Sequence, residues 1–568
     1  MSIIKSWAAW ACVVAPWLAA CGGINELPPT ERQTKMGVVV GVDNSATSST
    51  YAWLGVPFAK PPVGALRWKA PVDPDAWSGK RAAQSFGNAC VQNGRIYGPG
   101  SNNTYDATIG STLNMPVGSE DCLTLNIWRP ASAETQLPVI LFIYGGSNIS
   151  GYTADPVYNG ANLAKATNAV VVTANYRVGV MGFFNLAQLK DGANANDDSG
   201  NFAILDNIQA LKFINQNIAS FGGDAGNVTV MGQSAGAINV WALLTSPQTA
   251  GLFHKAIPIS GGISLASNLP AGTIPTLNPA TTYQTQANNL LANLLIADGH
   301  ATDIPSAQAY AATQTAAQIA DYMRSKDAAT ILTTVLTKGL TGSGPIPEGT
   351  VVATDPISAI AAGNYRKLPI LAGNTKDEGK LFAPFLALLG GPPGMIVSDA
   401  TRFTMMANYN PDATPTLTDA DILNAAYLPV DTPTTGYNAK TALLASVFTT
   451  ASRVNVLNTV KGQQPNVWFY QFNWAREPAP WNDIYGAAHA FDLPFIFGNF
   501  GPSLFSNAVN STANKPGRLA LSAAMMSTIS AFIRNGDPNN AALGVTWGAW
   551  PATLTFDASL TQAQIGVQ

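Results

Sequence analysis

Gly232-Gln233-Ser234-Ala235-Gly236 sets a serine hydroxyl between two glycines, directly after Val228-Thr229-Val230-Met231, a run suited to a buried strand. From Ala235 onward the chain reads as a helix, so Ser234 falls on the sharp turn between the two elements. A side chain at 232 or 236 would strike the neighbouring strand or helix, which is why such a turn needs glycine there. The turn lifts the hydroxyl out of the sheet toward a base. It also aims the N–H of Ala235 at the oxyanion that forms when a carbonyl is attacked. The pentapeptide alone is common by chance; the strand, turn and helix around it give it weight.

Attack by a serine needs an imidazole near neutrality to take the hydroxyl proton and return it to the leaving group. The chain holds three histidines, His254, His300 and His489. His300 lies in an alanine-rich stretch, whereas His489 lies in Gly486-Ala487-Ala488-His489-Ala490-Phe491-Asp492. A carboxylate must orient the imidazole, and three are candidates: Glu378, in Gly373-Asn374-Thr375-Lys376-Asp377-Glu378-Gly379 at the end of an expected strand, with Asp377 and Asp492 competing. With so few histidines and no Cys-x-x-Cys or His-Glu-x-x-His, a zinc site has no ligand set, and no cofactor is expected.

The elements that must hold these residues alternate between strand and helix. Pro138–Tyr144 and Ala169–Thr173 are continuous apolar runs, as expected of parallel strands covered on both faces. Leu368–Ala372 and Val467–Phe472 are further strands, and helices are expected over Phe202–Phe221 and from Pro516 to Arg534. That alternation implies an α/β sheet. Gly262–Gly344, rich in Ala, Thr, Asn and Gln, reads as a helical cap over the site or as an exposed insertion. Leu381–Ile396, with Pro384, Pro392 and Pro393, is expected to wall its entrance.

A chain of 568 residues that is 47% hydrophobic and 11% charged can bury a large core. Its formal net charge of −3, with no basic stripe, gives a nucleic-acid partner no electrostatic support. The N-terminus carries Lys5, an apolar run from Trp7 to Leu18, and Leu18-Ala19-Ala20-Cys21-Gly22, an ending that resembles a bacterial lipobox. Residues 1–20 are therefore expected to be a lipoprotein-type signal peptide, with Cys21 the lipidated first residue of the mature protein. A plain secretory signal cut nearby is the alternative. The run is too short to span a bilayer, which takes about 20 apolar residues, so membrane attachment is expected only through the lipid. Residues 21–35 then form a linker and 36–568 one catalytic domain. The expected location is a bacterial outer membrane, cell surface or periplasm, or else the medium. Export makes a Cys90–Cys122 disulfide the expected state, with two reduced buried cysteines as the alternative.

From about Val38 to Phe556 the chain resembles the type-B carboxylesterase and cholinesterase family. The resemblance rests on Leu54 to Gly64, Ser119-Glu120-Asp121-Cys122-Leu123-Thr124-Leu125-Asn126-Ile127-Trp128 and Asn175-Tyr176-Arg177. Gly200 to Asp206, Asn217 to Asp224, the Ser234 motif and Asn535-Gly536-Asp537-Pro538-Asn539 complete it. It implies an α/β-hydrolase fold, a mostly parallel central sheet flanked by helices with large inserted segments. It also implies a triad of Ser234, Glu378 and His489, and an oxyanion hole built from the N–H groups of Gly146, Ser147 and Ala235.

Two positions depart from the family pattern. Tyr144-Gly145-Gly146-Ser147 places serine where the family has a third glycine, so a positive φ there would be strained and bulky tertiary-alcohol esters are unexpected. Gln233 replaces the usual glutamate before the nucleophile, weakening any stabilisation of imidazolium. Residues 91–121 hold Tyr97 and Tyr105 but no tryptophan, which argues against choline esters. The expected reaction is ester hydrolysis through an acyl-enzyme, on a small or polymeric ester. The competing readings are a surface-anchored lipase or polyesterase, an amide or carbamate hydrolase, and a binding protein that kept the fold without catalysis.

Overall fold

The computed structural model describes residues 28–340, 342–503 and 506–568. The expected signal peptide and Cys21 lie outside them. The apolar runs form the middle of one sheet, which among the described residues has eleven strands. In chain order these are β1 (Val42–Asn44), β2 (Thr50–Pro57), β3 (Thr124–Pro130), β4 (Leu137–Ile143), β5 (Val170–Ala174) and β6 (Gly223–Gln233). They continue as β7 (Lys255–Ile259), β8 (Ile370–Thr375), β9 (Val467–Phe472), β10 (Thr553–Ala558) and β11 (Ala563–Val567). Their order across the sheet is β11-β10-β9-β8-β7-β6-β4-β5-β3-β2-β1. The strands from β10 to β5 run parallel, and antiparallel pairs close both edges. Every residue of β4, β5 and β7 is buried, the pattern of strands sandwiched between helical layers. This is the α/β-hydrolase fold.

Helix α1 (Phe202–Asn217) is shorter than its periodicity predicts, because Ile218–Phe221 tightens into a 3₁₀ turn that stops at Gly222 with φ +79°. Helix α2 (Ala235–Thr245) starts at Ser234 and packs on β6 and β7. The last long helix, Lys515–Asn535, buries Met525, Ile529, Phe532 and Ile533 as core and ends at Gly536, φ +74°.

One expectation changes and one open alternative is decided. Part of the stretch read as a linker is sheet: Glu31–Gln33 pairs with Val38–Val40, which also pairs with Lys80–Ala82. A Glu31–Lys80 ion pair of 2.6 Å and the Arg32 guanidinium over the Trp53 ring hold this stretch to the domain. The segment 262–344 is helical, with helices at Ala280–Ala297, Ile304–Thr313, Ala316–Ser325 and Ala328–Thr337. It builds its own apolar cluster, Leu290, Leu294, Met323 and Ile331 against Trp68, Met181, Phe184 and Phe202. That places it beside the site, and none of its described residues lines the cavity at Ser234.

Candidate active site

Ser234 sits between β6 and α2 with φ +58° and ψ −122°, a conformation that costs a non-glycine residue about 1–3 kcal/mol and needs firm support. Support comes from its own N–H, which donates to Ile259 O at 2.8 Å, and from the flanking glycines. A Cβ at Gly232 would lie 2.4 Å from Gly236 O, and one at Gly236 would lie 2.1 Å from Ile143 O. The turn therefore closes only with glycine at both positions, as the sequence implies.

Glu378 follows β8 and His489 lies in the loop after β9, so both project from the same carboxyl edge of the sheet as Ser234, the usual place for ligands in a parallel sheet. Both side chains are buried, and His489 Nδ1 is hydrogen-bonded to Glu378 Oε2. The other carboxylate oxygen, Oε1, accepts the Ser260 hydroxyl at 2.7 Å and the Thr375 N–H at 2.9 Å. Burial alone would raise the Glu378 pKa; the His489 imidazole, the Ser260 hydroxyl and the Thr375 N–H outweigh it and hold the carboxyl below its ordinary value. With Nδ1–H facing a carboxylate, Nε2 is left as the acceptor. It meets the Gln233 amide at 3.1 Å, and the Phe382 ring packs 4.8 Å from the imidazole centroid. Among the described residues, Ser234 Oγ carries no hydrogen bond.

The loop after β4 approaches the serine from the other side: a Cβ at Gly145 would lie 2.8 Å from Ser234 Cβ. Gly146 has φ +113°, and Ser147 and Asn148 have φ +59° and +56°. The strain anticipated at Ser147 is therefore present. The loop is clamped by Ser343 Oγ donating to Ser147 O at 2.9 Å, by Gly179 N–H donating to Asn148 O at 2.6 Å, and by paired Asn148–Asn239 amides. Among the described residues, the N–H groups of Gly146, Ser147 and Ala235 have no hydrogen-bond partner. Gly146, Ser147, Ser234 and His489 all line one cavity of about 420 Å³. Leu381, Phe382, Pro384 and Phe385 line it too, which puts part of the expected entrance segment at its wall.

The carboxylesterase family model matches residues 28–564. The chain belongs to the carboxylesterase family. It is 29% identical to the para-nitrobenzyl esterase of Bacillus subtilis, over 93% of this chain and 95% of that one. It is 32% identical to the fumonisin B1 esterase of Sphingopyxis macrogoltabida, over 88% and 80% respectively. A solved structure of para-nitrobenzyl esterase superposes with a TM-score of 0.70 at 26% identity, covering 95% of this chain and 97% of the other. That of the Geobacillus stearothermophilus carboxylesterase gives 0.69 at 28%, covering 95% and 98%. The protein is a carboxylesterase-type hydrolase of carboxylic esters.

The remaining candidates in this carboxylesterase have structural surroundings. His254 Nδ1 accepts the Val228 N–H at 3.1 Å, with burial and Lys255 lowering its pKa. His300 stacks on Tyr310 in the helical insert. Asp377 accepts the Ala487 N–H at 3.2 Å, tying down the His489 loop, and Asp492 accepts the Tyr470 hydroxyl at 2.9 Å. Three family segments take part in ion pairs: Arg177 grips the buried Asp206 with Nε and Nη2 at 2.8 and 2.7 Å, and Arg67 grips the partly buried Glu120 at 2.7 and 2.6 Å. Cys90 and Cys122 form a disulfide whose loop carries Arg95, Tyr97 and Tyr105, all on the cavity wall.

Ser260 escaped the sequence reading. The only signal was Lys255-Ala256-Ile257-Pro258-Ile259, a short apolar run ahead of Ser260-Gly261-Gly262, which could have marked a strand end. The place of Gln233 before the nucleophile signalled an influence on the imidazole, but its direct contact with His489 Nε2 depends on two side-chain conformations that sequence does not specify.

Proposed function

We propose that this carboxylesterase works as a serine esterase through an acyl-enzyme, with Ser234 as nucleophile, His489 as base and Glu378 as its orienting carboxylate. The supporting observation is convergence: the serine, the imidazole already paired to a buried carboxylate, and Gly146 and Ser147 with their unused N–H groups line one cavity, and the unused N–H of Ala235 follows the serine directly in the chain. Ser234 Oγ attacks the ester carbonyl carbon as His489 Nε2, released from Gln233, takes the hydroxyl proton. The N–H groups of Gly146, Ser147 and Ala235 receive the oxyanion. Collapse breaks the bond to the alcohol oxygen, which leaves with the proton from imidazolium. Water then gives a proton to the same Nε2 and attacks the acyl carbon. The acid departs and Ser234 regains its hydrogen. The route calls on no metal or organic cofactor.

The N-terminal sequence supports export and attachment through lipid at Cys21, and the Cys90–Cys122 disulfide fits an oxidising compartment. Substrates met there include esters too large to enter a cell. Among the described residues no helix is long and apolar enough to cross a membrane.

The test is hydrolysis of a 4-nitrophenyl ester series by the mature protein beside Ser234→Ala. Loss of turnover by about 10⁴-fold or more in the variant is expected. Turnover that survives the substitution would remove Ser234 from the mechanism.

A further inference from the structure

The cavity at Ser234 carries charge that ester hydrolysis does not use. Arg95 and Arg402 both line it. Arg402, on the helix Asp399–Ala407, is almost wholly buried, its side chain 4% exposed. Its Nη2 donates to Asp399 at 2.7 Å and its Nη1 reaches the thioether of Met395 at 3.5 Å, and the Tyr97 and Tyr485 hydroxyls are further partners of the guanidinium. Its Nε is buried with no hydrogen-bond partner. Arg95 is exposed, and its guanidinium makes neither an ion pair nor a hydrogen bond among the described residues; its electrostatic neighbours are Asp399 and Tyr97. This corner therefore holds two fixed cations and one carboxylate.

A second carboxylate, Asp155, also lines the cavity and could cancel the excess. Its surroundings keep it apart. It accepts the Val157 N–H at 3.0 Å, and the groups that feel its charge are Tyr105, Tyr152 and Tyr158 rather than either arginine. Burial also pushes its carboxyl up to about 6, so it surrenders its charge in mild acid, which the arginines do not. Charge balance over the whole cavity is thus met by two separated corners, one of which has an unused guanidinium and a buried unused N–H.

We propose that the Arg95–Arg402 corner is an anion subsite, and that the preferred substrates are esters bearing a second, free carboxylate, such as hemiesters of dicarboxylic acids. The fit is chemical: a guanidinium fork pairs with a carboxylate through charge-assisted hydrogen bonds, and a substrate carboxylate there would satisfy the donors left over. The proposal rests on the esterase reading and names its substrate class.

The test compares mono-4-nitrophenyl hemiesters of the linear dicarboxylic acids, succinate to suberate, with neutral 4-nitrophenyl esters of matching chain length, for the wild type and Arg95→Gln. The Arg95 side chain makes no hydrogen bond among the described residues, and its backbone carbonyl, which accepts the Gly98 N–H at 2.8 Å, is kept in the variant, so the variant is expected to fold. The ratio of kcat/KM, hemiester over neutral, should peak at one chain length at about tenfold or more. It should fall toward one in Arg95→Gln and shrink in the wild type as salt rises. A wild-type ratio at or below one at every length overturns the proposal. So does a ratio that Arg95→Gln leaves intact, which is the behaviour of an arginine that only shapes the loop. Calorimetric titration of Ser234→Ala with the same pairs reads the preference without turnover: tighter hemiester binding is expected, and equal binding overturns it. A wild type that hydrolyses neither series would count against the esterase reading, while these titrations still decide the subsite.

Discussion

The side-chain amide of Gln233 lies 3.1 Å from Nε2 of His489, the ring nitrogen opposite the one held by Glu378. An amide N–H donated to that lone pair occupies the position from which a proton would be drawn from Ser234. The residue before the nucleophile thus bears directly on the proposed base, and catalysis requires the amide to yield to the hydroxyl.

Gln233→Glu exchanges that donor for a carboxylate beside the imidazole. A nearby negative charge favours imidazolium, and the base acts only when neutral, so the acid limb of kcat/KM should move to higher pH. Rates at pH 6 fall relative to pH 8. A pH–rate profile of both proteins on one neutral ester checks this; coincident acid limbs would break the link between Gln233 and the base.

Asp492 offers a stability prediction of opposite sign to an ordinary acid effect. Burial pushes its carboxyl to about 7, and the hydroxyl of Tyr470 is its partner. In the unfolded chain an aspartate releases its proton near pH 4. Between pH 4 and 7 the native state therefore binds more protons than the unfolded state, and stability falls as pH rises through that window. Asp492→Asn cannot ionise but can still accept the Tyr470 hydroxyl. Its stability relative to wild type should be greater at pH 8 than at pH 4 by roughly 2 to 4 kcal/mol, read from denaturant unfolding at the two pH values. A pH-independent difference would mean that Asp492 does not carry the shift.

What could be read from sequence divides along the range of the interactions. The Ser234 turn was legible because its cause is local: strand, glycine, serine, glycine and helix lie within a few residues of one another. Glu378 and His489 are 111 residues apart and were singled out from the competing carboxylates and histidines only through resemblance, since neither residue has a local signature of pairing. Ser260, which fixes the far oxygen of Glu378, has φ +54° after a five-residue strand, and serine advertises neither feature. The helices of 262–344 follow from composition, but their docking on Trp68 and Phe184 rather than over Ser234 depends on which apolar face finds which partner. The short strand Glu31–Gln33 was hidden for a similar reason, its charged residues being held by Lys80 and Trp53 far along the chain.

The Cys90–Cys122 bridge closes a loop with a sequence separation of 32 that supplies one wall of the cavity. In the chain-entropy model a loop of this size contributes roughly 3 to 4 kcal/mol. Cys90→Ala/Cys122→Ala should shorten the half-life of activity at elevated temperature and raise KM more than it lowers kcat. The reacting groups stand outside the loop, while Arg95, Tyr97 and Tyr105 stand on it. Inactivation kinetics suit a chain of this size, where unfolding is often irreversible. A double variant with wild-type KM would show that the loop holds its place without the bridge.

Ser147 is the remaining departure with a consequence for specificity. Its φ of +59° is one that glycine adopts freely, and its side chain stands on the cavity wall beside the proposed oxyanion donors. Ser147→Gly removes the left-handed strain, worth about 1–2 kcal/mol. It also adds backbone freedom to the unfolded chain, worth about 0.5–1 kcal/mol. Net stability should therefore rise by no more than about 1.5 kcal/mol. The cavity gains the space of a hydroxymethyl group where the alcohol half of a bulky ester would press. The ratio of tert-butyl to n-butyl ester hydrolysis should consequently rise, by about tenfold if the clash is what limits entry. Steady-state rates on that ester pair decide it. An unchanged ratio would place the barrier to bulky alcohols elsewhere on the wall, at Phe382 or Phe385.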